Sequence, residues 1–138
     1  MDVQSRKVVI IEDDPDASKL LRLYLKRLGY EVWEASDGET ALSLIMSHKP
    51  DLVCLDLCLP QGSGFEVCEA MRSSEESANI PVLVTTGRAS PQDQALAEMV
   101  GVDAYLIKPF SSDVFMDIVE RLAKRDRAVV PIRPEVLQ

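Results

Sequence analysis

The sequence predicts a doubly wound α/β fold, (βα)5 in one domain with a parallel sheet between two helical layers. Three observations predict it. Short apolar runs of strand length recur five times along the 138 residues. Amphipathic stretches with helix caps separate them. The length allows one domain of roughly 100–200 residues and little else. Strand–helix alternation of this kind implies parallel strands, right-handed crossovers and helices on both faces.

The strand candidates are Val8–Ile11, Tyr30–Ala35, Leu52–Leu55, Val82–Val84 and Ala104–Ile107. Most are apolar on consecutive positions, as parallel strands covered on both faces should be. Glu31 and Glu34 interrupt the second run, which predicts an edge strand. Asp14 followed by Pro15 reads as an N-cap and a first helical turn. Ala17, Leu20, Leu21, Tyr24 and Leu28 then repeat at helical spacing, and Gly29 stands where a helix ends. Asp37 opens a second helix with Ala41, Leu42 and Ile45, which must stop before Pro50. A third helix spans about Phe65 to Met71. Ser90-Pro91 opens the fourth, whose expected apolar face is Leu96, Met99 and Val100, with Gly101 as its stop. Ser111 or Ser112 caps the fifth, striped by Phe115, Ile118, Val119 and Leu122. Residues 125–138 carry Pro131 and Pro134 without periodicity and read as a tail or linker, and residues 1–6 as a short extension.

Fifteen basic against 23 acidic residues give a net charge of −8. That balance disfavours direct nucleic-acid binding, which depends on a basic patch. Three cysteines make an odd number in apolar surroundings, the pattern of a reducing compartment, not of a disulfide framework. No apolar run reaches the ~20 residues of a membrane span and no basic-then-apolar leader opens the chain. A cytoplasmic protein is expected.

Ligands of open α/β sheets bind beyond the carboxyl ends of the strands. There the first run ends in Glu12-Asp13-Asp14, the third in Asp56, the fourth in Thr85-Thr86 and the fifth in Lys108-Pro109. Asp56 lies within Leu52–Leu59, otherwise apolar, where a carboxylate is costly unless paired or bound to metal. Standing alone it could equally cap the next loop. Glu12 and Asp13 facing it would make a site for a hard cation such as Mg²⁺, whereas Asp14 is assigned to its helix cap. Lys108 can neutralise charge on a transferring phosphoryl group, and Pro109 makes its peptide a candidate for cis. Thr86 brings a hydroxyl, and Gly87 permits close backbone approach.

Taken in order, these segments resemble the receiver domains of bacterial two-component response regulators. The resemblance covers about residues 7–124. It is carried by Val8–Pro15, Lys49–Asp56, Leu59-Pro60 through Gly64, Pro81–Gly87 and Ala104–Phe110. It implies a flavodoxin-like sheet of order 2-1-3-4-5. By the same resemblance Asp56 is the phospho-acceptor, charged from the phosphohistidine of a sensor histidine kinase or a histidine phosphotransfer protein. Asp13 and Asp56 would bind Mg²⁺ directly, Glu12 through water, and the Cys58 backbone carbonyl would complete the protein ligands. Lys108 would pair with the phosphoryl group, Thr86 would move to hydrogen-bond it, and Tyr105 would turn inward when Thr86 moves. The implied output face is the fourth helix, fifth strand and fifth helix, open to a downstream protein, a fused output domain or a second copy. Such a domain is a switch and not an enzyme, beyond its own phosphoryl transfer and autodephosphorylation. Three positions depart from the commonest pattern: Gly87, where alanine is usual, and Cys58 and Arg88, at sites that tune dephosphorylation in such domains.

Other classes fit less well. A Mg²⁺-dependent aspartyl-phosphate phosphatase would place its nucleophile after the first strand with a second acid two residues on, whereas Leu57 and Cys58 follow Asp56. A flavin carrier needs a first loop that welcomes phosphate, and Glu12-Asp13-Asp14 would repel it. A phosphorylation-independent binding module stays open. Cys54, Cys58 and Cys68 read as small buried apolar residues, and with His48, the lone histidine at a helix end, they are not read as a zinc or redox site.

Overall fold

Alternate residues of each apolar run face opposite sides of one parallel sheet. Val9, Ile11, Val53, Leu55, Val82 and Val84 join one core cluster, whereas Val8, Ile10, Leu52, Cys54, Leu83 and Leu106 join the other. This is a computed structural model, and it describes residues 5–59, 62–88 and 90–124. The expectations for residues 1–4, Pro60 and 125–138 lie outside the described residues.

In chain order the elements are β1 (Arg6–Ile11), α1 (Pro15–Arg27), β2 (Tyr30–Ala35), α2 (Gly38–His48), β3 (Leu52–Leu55), α3 (Gly64–Ser73), β4 (Val82–Thr86), α4 (Pro91–Met99), β5 (Ala104–Ile107) and α5 (Ser112–Lys124). A two-residue antiparallel ladder, Cys58–Leu59 with Gly62–Ser63, lies between β3 and α3. The sheet order is β2-β1-β3-β4-β5, all parallel, so the doubly wound 2-1-3-4-5 arrangement is present and β2 is an edge. Helices α1 and α5 cover one face through Leu21, Leu25, Phe115, Ile118, Val119 and Leu122. Helices α2, α3 and α4 cover the other through Ala41, Ile45, Phe65, Val67, Met71 and Ala97.

The caps fall as the sequence predicts. Asp14, Asp37 and Ser90 accept from the first-turn amides of α1, α2 and α4, and Ser111, not Ser112, accepts from the Val114 amide at α5. Gly29 and Gly101 follow helix ends at φ +90° and +88°, a conformation that side chains disfavour.

Two helix faces differ from expectation. In α1 the inward positions are Ser18, Leu21 and Leu25, while Leu20 is 47% exposed. In α4 the buried residue is Ala97, with Val100 half-buried, while Leu96 and Met99 are 40% and 82% exposed. A helix of nine residues turns too few times for apolar spacing to single out one face. The small Ala97 occupies the contact, and the larger side chains lie outside. No described helix is long and apolar enough to cross a membrane.

Candidate functional site

The carboxyl ends of β1, β3 and β5 bring three acids and one ammonium together. Carboxylate oxygens of Glu12, Asp13 and Asp56 lie within 4.8 Å of one another. Glu12 and Asp56 are buried, at 4% and 5% exposure, and Asp13 is exposed. Lys108 Nζ bridges the two buried acids, 2.6 Å from Glu12 Oε1 and 3.1 Å from Asp56 Oδ2. The other Asp56 oxygen, Oδ1, accepts from the Cys58 amide at 2.9 Å. The Asp14 amide donates to Glu12 Oε2 at 3.2 Å, so Glu12 is held from both sides. Burial pushes the Glu12 carboxyl above its ordinary range, with the Lys108 hydrogen bond pulling it back. Burial alone would lower Lys108, but its hydrogen bonds to Glu12 and Asp56 outweigh that and hold it above its ordinary value. The Lys108–Pro109 peptide is cis.

Hard oxygen donors in this number and spacing suit a small divalent cation, which binds through one or two carboxylates and keeps room for waters and phosphate oxygens. The cluster thus fits Mg²⁺. Glycine 64 explains how Asp56 is reached: a Cβ there would stand 2.6 Å from the Asp56 carbonyl oxygen, so only a glycine lets α3 start this close.

Beside the acids, Thr86 is fully buried and its Oγ1 accepts from the Arg88 amide at 3.2 Å. Cys58 Sγ lies 3.9 Å from the same Oγ1. Tyr105 is buried in the inward position, and its hydroxyl donates to the Arg88 carbonyl at 2.6 Å. The structure therefore joins all seven predicted residues, Glu12, Asp13, Asp56, Cys58, Thr86, Tyr105 and Lys108, around one end of the sheet.

A sequence profile described as "Response regulator receiver domain" matches residues 8–120. The chain belongs to the response regulator receiver domain family. The chain is 40% identical over 119 residues to the "DNA-binding dual master transcriptional regulator RpaA" of Synechocystis, a match covering 86% of this chain and 49% of that protein. It is 35% identical over 127 residues to the "Alkaline phosphatase synthesis transcriptional regulatory protein PhoP" of Bacillus subtilis, covering 92% and 52% respectively. The chain thus spans about half the length of these curated relatives. Among solved structures, a putative response regulator from Chloroflexus aurantiacus aligns with a TM-score of 0.83 at 29% identity, covering 88% of this chain and 100% of that one.

Two readings at this site differ in the structure. Cys58 is exposed, not a buried strand residue, because the chain leaves the sheet at Asp56 and turns into the short ladder. Cys54 and Cys68 are buried as expected, and among the described residues no Cys–His group could hold a metal. His48 stacks on Trp33, ring centroids 4.0 Å apart. Gly87 meets no close backbone: a Cβ there would find nothing within 4 Å. The sequence reading also missed a brace. Arg72 on α3 pairs with buried Asp103 at 2.9 Å and donates to the carbonyls of Gly101, Ala78 and Ile80. Asp103 in turn accepts from the Val82 amide at the start of β4. These partners are up to 31 residues apart, and no local pattern announces them.

Proposed function

We propose that this receiver domain is a phosphorylation switch in which Asp56 accepts a phosphoryl group from the phosphohistidine of a sensor histidine kinase or a histidine phosphotransfer protein. The observation that carries it is the state of Asp56. A carboxylate that is 5% exposed at a strand end, within 4.8 Å of two other acids, is retained with one oxygen on an amide and the other on Lys108. In the transfer a carboxylate oxygen of Asp56 attacks phosphorus and the P–N bond breaks. The imidazole nitrogen leaves with the electron pair and takes up a proton.

Glu12, Asp13, Asp56 and the Cys58 carbonyl would hold Mg²⁺, which when bound offsets the negative charge of the entering group. Lys108 leaves Asp56 Oδ2 for a phosphoryl oxygen and carries that charge alongside. Thr86 turns its hydroxyl from the Arg88 amide to the same group, which biases the β4–α4 loop. Tyr105, inward on the Arg88 carbonyl before Thr86 has moved, is held there as the change passes to α4, β5 and α5. The exposure of Leu96 and Met99 on α4 supports an output face there, for a downstream protein, a fused output domain or a second copy. RpaA is named as DNA-binding. With net charge −8 this portion is assigned the switching and not the nucleic-acid contact, working in the cytoplasm. Residues 7–124 form the receiver unit, between the extension 1–6 and a tail or linker 125–138. No activity on a separate substrate is assigned, so it is a switch and not an enzyme.

The test is intact mass after incubation with acetyl phosphate and Mg²⁺, beside Asp56→Asn and a chelated sample. One added phosphoryl group is expected in the parent protein with Mg²⁺, and none in Asp56→Asn or in the chelated sample. The same addition in Asp56→Asn would move the acceptor elsewhere.

A further inference from the structure

Arg88 is used three ways at once. Its amide donates to Thr86 Oγ1 at 3.2 Å, and its carbonyl accepts from the Tyr105 hydroxyl at 2.6 Å. Its guanidinium grips Asp93, in the first turn of α4, with Nη2 2.5 Å from Oδ1 and Nε 3.2 Å from Oδ2. Asp93 is itself fixed. Ser90, the N-cap of α4, donates its hydroxyl to Asp93 Oδ2 at 2.8 Å and accepts the Asp93 amide at 3.1 Å. The two residues thus exchange hydrogen bonds, hydroxyl to carboxylate and amide to hydroxyl, at the start of α4.

We infer that the Arg88–Asp93 pair is a clasp that couples the first turn of α4 to Thr86 and Tyr105, which makes Asp93 a positioning residue for the switch. Most surface ion pairs contribute little, because two mobile side chains lose freedom for a screened attraction. This one differs in geometry. It is bidentate, its carboxylate is 14% exposed, and the Ser90 hydroxyl holds that carboxylate as well. Tyr105 stays inward by reaching the Arg88 carbonyl, and with the guanidinium tied to the cap of α4 that carbonyl is held where the hydroxyl meets it. A turn of the Thr86 hydroxyl toward Asp56 gives up only the 3.2 Å bond from the Arg88 amide and leaves the clasp in place. The clasp therefore favours the inward Tyr105. A ligand at Asp56 that favours the same arrangement binds more weakly when the clasp is cut, because coupling between sites is reciprocal.

The consequence for ligand binding rests on the phospho-acceptor reading of Asp56, whereas the coupling itself does not, and the test separates them. Arg88→Ala, Arg88→Lys, Asp93→Asn and the double variant Arg88→Ala/Asp93→Asn are compared with the parent and with Asp117→Asn. The last cuts the exposed Arg121–Asp117 pair on α5 as a control. Beryllofluoride with Mg²⁺ is titrated against amide chemical shifts, and hydrogen exchange is followed in the protein alone at Arg88 and the first turn of α4. Arg88→Ala and Asp93→Asn should each raise the beryllofluoride midpoint roughly two- to fivefold and speed exchange at those amides. The double variant should be no worse than the worse single, Arg88→Lys should lose less than Arg88→Ala, and Asp117→Asn should change nothing. Additive single effects, an Arg88→Lys loss equal to that of Arg88→Ala, or unchanged exchange would each overturn the clasp. If the parent binds no beryllofluoride, the acceptor reading fails. The non-additivity of exchange rates then decides the clasp by itself.

Discussion

Two glycines flank the site and should respond to alanine with opposite sign. At Gly64 an added Cβ stands 2.6 Å from the Asp56 carbonyl oxygen, 3.0 Å from Leu57 Cα and 3.2 Å from Leu55 Cδ1. The two nearest atoms are backbone and cannot rotate away, so the strand end carrying Asp56 must shift. Overpacking of this kind costs about 1–3 kcal/mol, and rigid neighbours place it in the upper half. Alanine recovers up to about 1 kcal/mol of helix propensity at the start of α3, which leaves a net loss near ~1.5 kcal/mol. With a urea slope of about 2 kcal/mol per molar, the midpoint should fall by about 0.7 M. At Gly87 a Cβ meets nothing within 4 Å and the backbone is not left-handed. Alanine there restricts only the unfolded chain and should add about 0.4–1 kcal/mol, raising the midpoint by about 0.2–0.5 M. Urea unfolding followed by far-UV circular dichroism reads both. A Gly64→Ala midpoint equal to that of the parent, or a fall in Gly87→Ala, would refute the packing described around Asp56.

Three further outcomes follow from other parts of the molecule. Asp103→Ala strands the Val82 amide and removes the counter-charge of Arg72, which keeps its carbonyl partners, so stability should drop by about 2–4 kcal/mol; a loss below about 1 kcal/mol in urea unfolding would contradict the brace. Of the three thiols only Cys58 is exposed, so a disulfide reagent should modify one thiol in the native protein and the other two only on unfolding; rapid reaction of two would place Cys54 or Cys68 wrongly. Burial raises the Tyr30 phenol above its ordinary value, against the opposing pull of Arg6. Its neutral form is thus favoured in the folded state, and the associated stability is complete below the unfolded value of about 10 and lost as pH rises through and beyond it. Tyr30→Phe should therefore flatten the alkaline loss of the urea midpoint, and an unchanged slope would remove Tyr30 as its source.

The alternation of strands and helices and the place of the site were legible because both are written in local patterns, whereas the strand order came from the family resemblance. Consecutive apolar positions marked β1, β3 and β4 as doubly covered strands, and the residue ending each run marked the edge where Glu12, Asp56, Thr86 and Lys108 meet. Caps at Asp14, Asp37 and Ser90 were legible for the same reason, since a side chain bonding two or three residues ahead leaves a local trace. What the sequence concealed depends on contacts between distant segments. The facing of α4 is decided by how closely Ala97 approaches the sheet, so Leu96 and Met99 gave the wrong face. Cys58 was misplaced because a continuing apolar run hides the point where the chain leaves the sheet. The Arg72–Asp103 brace and the threefold use of Arg88 join loops that only the folded chain brings together.

The most direct test of the acceptor assignment is to find the modified atom itself. Protein treated with acetyl phosphate and Mg²⁺ would be reduced with borohydride, which converts an aspartyl phosphate to homoserine, and then digested and sequenced by mass spectrometry. The account predicts conversion at position 56 and at no other acid of the cluster. Conversion at Asp13, or none in a protein that has gained a phosphoryl group, would contradict it.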